Sequence, residues 1–177
     1  MRACEAMPNI RKYMNTAVQS NPSSTADPLL ERMKRHPFLK NMLPAQLAVL
    51  RESAMGTRFA AGETIFVEGD PANRFYLIES GQVELHTAQR DQEATVIQTI
   101  GAGNVVGWSW LFPPYYWHFS AIATAPTEAI FFYGTRLREL AEQDHDLGYD
   151  LLKRVTEVMI ERLQSTRKQL LQLQSRR

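Results

Sequence analysis

The sequence predicts a mainly β domain, a sandwich or barrel, that is entered through short helices and left through a long one. Three observations predict it. Between Met55 and Tyr133, short runs of β-branched and aromatic residues alternate with glycine turns, the spacing of an antiparallel all-β unit rather than of a parallel α/β sheet. Ahead of that region, "LLERMKRHPFLKNMLPAQLAVLRESA" has helical spacing broken at two prolines. Behind it, residues 145–174 carry no proline and a single glycine.

Taken in order, residues 1–28 read as a tail and linker. They lack the continuous apolar core of a secretion signal and end in the turn formers "SNPSSTADP". The helical lead-in breaks at His36-Pro37 and Leu43-Pro44, because a residue before proline is pushed out of the helical region. Pro44 suits the first turn of a second helix over about 44–54.

The strand signals come in pairs. "ETIFVEGD" and "NRFYLIESG" flank Gly69-Asp70-Pro71, and "GQVELHTAQR" and "ATVIQTIGAG" flank a polar hairpin around Asp91. "HFSAIATA" and "TEAIFFYG" flank Pro126. The succession of Ile65, Phe66 and Val67 with Tyr76 and Ile78 suits pairing of those two neighbouring strands. After Gly81, Val83 and Leu85 are expected on one face and Gln82, Glu84 and His86 on the other. Glycines 62, 69, 81, 101, 103 and 107 fall at junctions, where positive φ or close backbone approach is expected.

"TRLRELAEQD" then reads as a short helix, and about 145–174 as a long one of about 45 Å. Leu152, Thr156, Met159, Leu163, Thr166, Leu170 and Leu173 recur at alternating four- and three-residue steps, one seam of a coiled-coil contact. Such a rod outreaches the β unit beside it, so the seam points to a second copy of the chain; packing on its own domain is the alternative. The chain thus divides into a tail (1–28), a helical lead-in with the β domain (29–134), and a helical dimerisation region (135–177).

Composition bounds the function. The 177 residues are 44% hydrophobic and 22% charged, an ordinary globular balance with a formal net charge of +1. That charge gives no global reason to bind nucleic acid or an acidic membrane. No apolar run approaches the roughly 20 residues of a bilayer span. Cys4 is the only cysteine, so no intramolecular disulfide is possible, which favours a reducing cytoplasm.

From Phe59 to Leu85 the chain reads F-x-x-G-E-x-I-F-x-E-G-D-x-x-x-x-x-Y-x-I-x-x-G-x-V-E-L. With the order of elements, this resembles the cyclic nucleotide-binding domain of the catabolite activator protein (Crp/Fnr-like sensors) and of protein kinase A regulatory subunits. The resemblance spans about residues 37–174. It implies an eight-stranded jelly roll (double-stranded β-helix) between short N-terminal helices and a long C-terminal helix.

It also implies where a ligand would sit. The family's cassette follows a glycine-rich turn, with a Glu for the ribose hydroxyl and an Arg for the phosphate. The matching stretch is "GNVVGWSWLFPPYYWHFSAIATA", residues 103–125, which holds all three tryptophans. Val106-Gly107 stands at the family's Phe-Gly, and Trp108 replaces the Glu. Ser109, Trp110 and Leu111 continue the short helix. His118 falls near the phosphate-binding Arg, with Trp117 the neighbouring choice, and Phe119-Ser120-Ala121 follow. The candidate ligand residues are therefore Gly107, Trp108, Ser109, Trp110, Trp117, His118, Phe119 and Ser120.

This cassette departs from the family in charge. No Asp, Glu, Lys or Arg occurs from Ala94 through Thr127. Burying an unpaired phosphate charge costs several kcal/mol even after relaxation, and a guanidinium normally answers it with two parallel hydrogen bonds. Only the backbone amides near Gly107-Trp108-Ser109 and a protonated His118 remain as substitutes. This argues against tight cAMP or cGMP binding. Three readings stay open: a weak cyclic nucleotide site, a site for a less charged ligand, and a pocket filled by its own rings.

Other chemistry finds little support. His36, His86, His118 and His145 show no metal-ligand spacing, so no metal site is expected. His86 or His118 is the position a haem would use, but a lone histidine is more often hydrogen-bonded surface. No Ser-His-Asp or Cys-His arrangement suggests an enzyme. Asp144 reads as the cap of the long helix. The basic end with Arg167, Lys168, Arg176 and Arg177 complements the helix dipole. No helix-turn-helix follows before Arg177, so this chain alone is not expected to read DNA; continued by one, it would read as a cAMP- or cGMP-responsive transcription regulator. The expectation is a non-enzymatic cytoplasmic sensor that dimerises, takes a small-molecule ligand, and signals through its last helix to an unknown protein partner. A structural dimer or adaptor with a dead pocket is the alternative.

Overall fold

The computed structural model describes residues 27–87 and 95–175. Cys4, the hairpin around Asp91, Arg176 and Arg177 lie outside the described residues. The elements are α1 (Pro28–Arg35), a 3₁₀ turn (Pro37–Leu39), α2 (Pro44–Ser53), β1 (Ala54–Phe59), β2 (Thr64–Phe66), β3 (Arg74–Ser80), β4 (Gln82–Thr87), β5 (Thr95–Gly101), β6 (Val105–Val106), a 3₁₀ turn (Trp108–Trp110), β7 (Ser120–Ala123), β8 (Thr127–Tyr133), α3 (Gly134–Gln143) and α4 (His145–Gln174).

The helix ends follow from local chemistry. Asp27 caps α1 by accepting from the Leu29 and Leu30 amides at 3.0 and 3.3 Å. The helix starts at Pro28, inside the segment expected to be linker, because that proline occupies N1. Pro37 and Pro44 end one helical piece and start the next, as their φ restriction requires. Asp144 caps α4 by accepting from the Leu147 amide at 3.0 Å.

The strands form two antiparallel four-stranded sheets, ordered β1-β8-β3-β6 and β2-β7-β4-β5. β1 pairs with β8, β2 with β7, β3 with β6 and β4 with β5, so the first four strands run as one long hairpin against the last four, rolled into a jelly roll. The expected pairing of β2 with β3 does not occur. β2 pairs with β7 through Thr64↔Ile122, while β3 lies between β8 and β6 in the other sheet. Alternation tells which way a side chain faces, not which strand lies beside it. The predicted faces of β4 do hold: Val83 and Leu85 are buried, while Gln82, Glu84 and His86 are more exposed.

Glycine is required where β3 turns into β4. Gly81 has φ +88°, and a Cβ there would lie 2.4 Å from the Pro126 carbonyl oxygen. Gly101 has neither feature, contrary to expectation: its φ is ordinary and the space beside it is open.

Two cores result. Tyr76, Ile78, Val83, Leu85, Ile100 and Phe131 fill the space between the sheets. On the other face of β3 and β8, Phe75, Leu77, Ile130 and Phe132 pack against Met33, Leu50, Leu137 and the start of α4. From α4 this second core takes Leu147, Leu151 and Val155. The seam residues lie on another face: Leu152, Thr156, Met159, Leu163, Thr166, Leu170 and Leu173 are all exposed, Leu163 to 70%. Packing on the chain's own domain does not account for them. Among the described residues, no helix is long and apolar enough to cross a membrane.

Candidate functional site

The cassette is built outward from β6. Val106 pairs with Tyr76 and Val105 with Leu77, which anchors its start on β3. The chain then turns at Gly107, φ +92°, into the 3₁₀ turn of Trp108–Trp110. A Cβ at Gly107 would sit 2.9 Å from two atoms of the Trp117 ring, so only glycine lets that indole reach its seat.

The returning arm is zipped to the β2–β3 connection. The Trp117 amide donates to Asp70 O at 2.9 Å, and the Gly69 amide donates to Trp117 O at 2.9 Å. This backbone pairing aims the Trp117 ring inward. It stacks on Phe66 with centroids 3.9 Å apart and planes 15° from parallel, and is 5% exposed. Ser109 Oγ and His118 Nδ1 share a hydrogen bond of 3.1 Å that ties the two arms together.

Phe66, Leu85, Val106, Gly107, Trp108, Ser109, Trp117, His118 and Phe119 line one cleft of about 20 Å³. That is the room of about one water, far below the ~300 Å³ at which small-molecule pockets begin. No carboxylate, ammonium or guanidinium lines it. With the rings as placed, the lining therefore offers neither an ionised carboxylate or guanidinium nor open room for a nucleotide-sized group.

Six of the eight candidate residues meet in the cleft: Gly107, Trp108, Ser109, Trp117, His118 and Phe119. Two do not. Trp110 is fully buried in the helix-side core, with Phe75 at 6.0 Å and its own Cβ against Gly134. Two residues apart on a three-residue turn, Trp108 and Trp110 leave the backbone in different directions. Ser120 lies on β7 and accepts from the Glu68 amide at 3.0 Å, a strand-anchoring role.

Phe66, Leu85 and Val106 were not anticipated as lining, although inward alternation along β2 and β4 carries that signal. Arg162, on α4, had no signal in the sequence. Its guanidinium lies 4.3 Å above the Trp108 ring and donates to Val105 O. Burial lowers its pKa to about 10. Elsewhere, burial holds His36 below the usual histidine range, with its Nε2 3.1 Å from Ile78 O. Among the described residues, no group of three His, Cys, Asp or Glu is placed to hold a metal ion.

A jelly roll with a short helical turn after β6, helices ahead of it and a long helix behind defines a class, the cyclic nucleotide-type sensor domains. Residues 57–144 match the model of the cyclic nucleotide-binding domain, and the chain belongs to that family through this domain. A CRP-like cAMP-activated global transcriptional regulator of Mycobacterium tuberculosis is 27% identical over 84 residues, 48% of this chain and 38% of the relative. A cAMP-dependent protein kinase regulatory subunit of Emericella nidulans is 42% identical over 48 residues, 27% of this chain and 12% of the relative. A solved structure from Geobacter metallireducens, assigned to the cyclic nucleotide-binding proteins, is 29% identical with a TM-score of 0.69, covering 75% of this chain and 96% of that one. The chain thus spans well under half the length of these curated relatives.

Proposed function

We propose that this domain is a non-catalytic sensor or regulatory module whose atypical, uncharged cassette selects a ligand other than a cyclic nucleotide and signals through α4. The carrying observation is the lining: a cleft walled by Phe66, Trp108, Trp117 and Phe119, with no charged side chain to meet a phosphate. Neutral rings favour a small apolar or aromatic ligand that enters by displacing the Trp108 and Trp117 rings. The exposed seam from Leu152 to Leu173 would pair with a second copy, and the resulting helical pair would present the signal to a partner protein.

A ligand drives such a change only if it binds one arrangement better than the other. Thermal unfolding in the presence of cAMP, cGMP, haem and a panel of neutral aromatic metabolites tests the reading, since binding to the native state raises Tm. A neutral aromatic compound that raises Tm supports it, and a rise with cAMP alone overturns it. The second reading is a structural dimer or adaptor. Its support is the closeness of the Phe66–Trp117 stack, and an absence of any shift across the panel favours it.

A further inference from the structure

The inner stripe of α4 runs Leu147, Leu151, Val155, Val158, Arg162. The first three are buried and Val158 is partly buried against the same core. Arg162 is the last of the stripe. From Leu163 to Ser175 every residue is exposed. The helix therefore leaves the domain at Arg162, which borders a cleft with Gln98, Thr99 and Ile100 of β5 on one side and reaches the cassette on the other. Its guanidinium covers the Trp108 ring at 4.3 Å and donates to Val105 O. Among the described residues no carboxylate lies within ion-pair distance of it.

Trp108 is thus shared. It lines the cleft and also forms the seat of the last attached turn of α4. A desolvated guanidinium with no ion-pair contact, and only the longer-range attraction of the neighbouring Glu161 carboxylate, draws on that ring and that carbonyl to offset its lost hydration. Displacing the indole removes the seat, and the hydrated state in solvent becomes the better one for the cation. The next residue, Leu163, lies on the exposed seam, so freeing Arg162 shifts the start of the seam's distal half.

We propose that Trp108 and Arg162 form a latch that clamps α4 to the closed cassette, and that a ligand displacing Trp108 releases the helix from about residue 159 onward. The ligand-driven half of this statement rests on the sensor reading above; the clamp itself does not.

The test is amide hydrogen exchange on the full chain without ligand, comparing the parent with Arg162→Ala and Trp108→Leu. In both variants amides from about 157 to 166 should exchange roughly tenfold faster, the scale of a partly desolvated cation–π contact. Amides of 145–155 should keep parental protection, because Leu147, Leu151 and Val155 are untouched. Arg162→Lys keeps the charge without the planar stack and should fall between. If Trp108→Leu does not fold, Arg162→Ala alone decides. Parental exchange over 157–166 in Arg162→Ala overturns the latch, whatever the ligand screen gives. A loosened helix with no ligand found in the thermal screen removes the sensor reading and leaves the clamp standing.

Discussion

Trp117 lies face to face with Phe66, ring centroids 3.9 Å apart, and both rings line the cassette cleft. Removal of the indole should both cost stability and create a binding site. Trp117→Ala is expected to lower unfolding stability by about 3 kcal/mol, the low end for a large aromatic truncated in a core. Indole should then raise the Tm of the variant but not of the parent, since an apolar cavity accepts an apolar guest. Urea unfolding and a thermal scan with indole check both; a parental midpoint in the variant would refute this packing role for Trp117.

The lining predicts weak cyclic nucleotide binding. Absence of a carboxylate and guanidinium pair is worth a few kcal/mol, hence about a hundredfold or more in Kd. Calorimetry at micromolar protein should register no binding of cAMP or cGMP. Introducing Trp108→Glu together with His118→Arg should strengthen cAMP binding by at least about tenfold. Submicromolar binding by the parent would contradict the electrostatic reading of the site.

His36 should make stability fall on acidification. It is 3% exposed; Phe38 N–H donates to its Nδ1 at 3.3 Å, and its Nε2 lies 3.1 Å from Ile78 O. That arrangement suits the neutral ring with its proton on Nε2, and burial lowers the folded-state pKa. Between the lowered folded value and the unfolded value of about 6.5, the unfolded chain binds more protons, so stability rises with pH. The contribution is complete above about 6.5 and is lost as pH falls through the folded pKa. His36→Gln should be less stable at pH 7 by about 1–2 kcal/mol. Its urea midpoints should also depend less on pH between 7.5 and 5 than the parent's. An unchanged slope in the variant would rule out His36 as the source.

The seam on α4 predicts a dimer that a single charge can break. Leu163 is 70% exposed and touches nothing in the domain core, so Leu163→Glu should change the stability of the folded monomer by no more than about 0.5 kcal/mol. In a paired seam the same carboxylate would be buried against apolar residues and its copy. Sedimentation should give a dimer for the parent and a monomer for the variant. A monomeric parent would remove the seam from the account.

Trp110 and Trp117 should separate by function. Trp110→Ala is expected to cost about 3–5 kcal/mol, because the indole is fully buried in the helix-side core. It should leave cleft binding by an indole-rescued Trp117→Ala variant intact wherever the protein still folds. Urea unfolding with the indole titration distinguishes the two residues; loss of cleft binding alone would place Trp110 in the site after all.

Much of the fold is readable in the residues. Proline placement set the lead-in helices, alternation set the inward faces of β4, and the proline-free run with Asp144 ahead of it set the span of α4. The lack of charge from Ala94 to Thr127 was legible directly, because charge is a property of composition and needs no coordinates. Local signals of this kind depend on neighbours along the chain, which the sequence displays directly.

Tertiary structure decided the rest. That β2 pairs with β7 and not β3 follows from the rolling of one long hairpin, a long-range choice that alternation does not encode. That Trp108 faces the cleft and Trp110 the core depends on how a three-residue turn sits on β3. That Phe66 receives Trp117 and Arg162 receives Trp108 depends on segments far apart in the chain meeting through packing. Periodicity tells which side chains are apolar and which way they turn, and only the folded geometry tells what each one meets there.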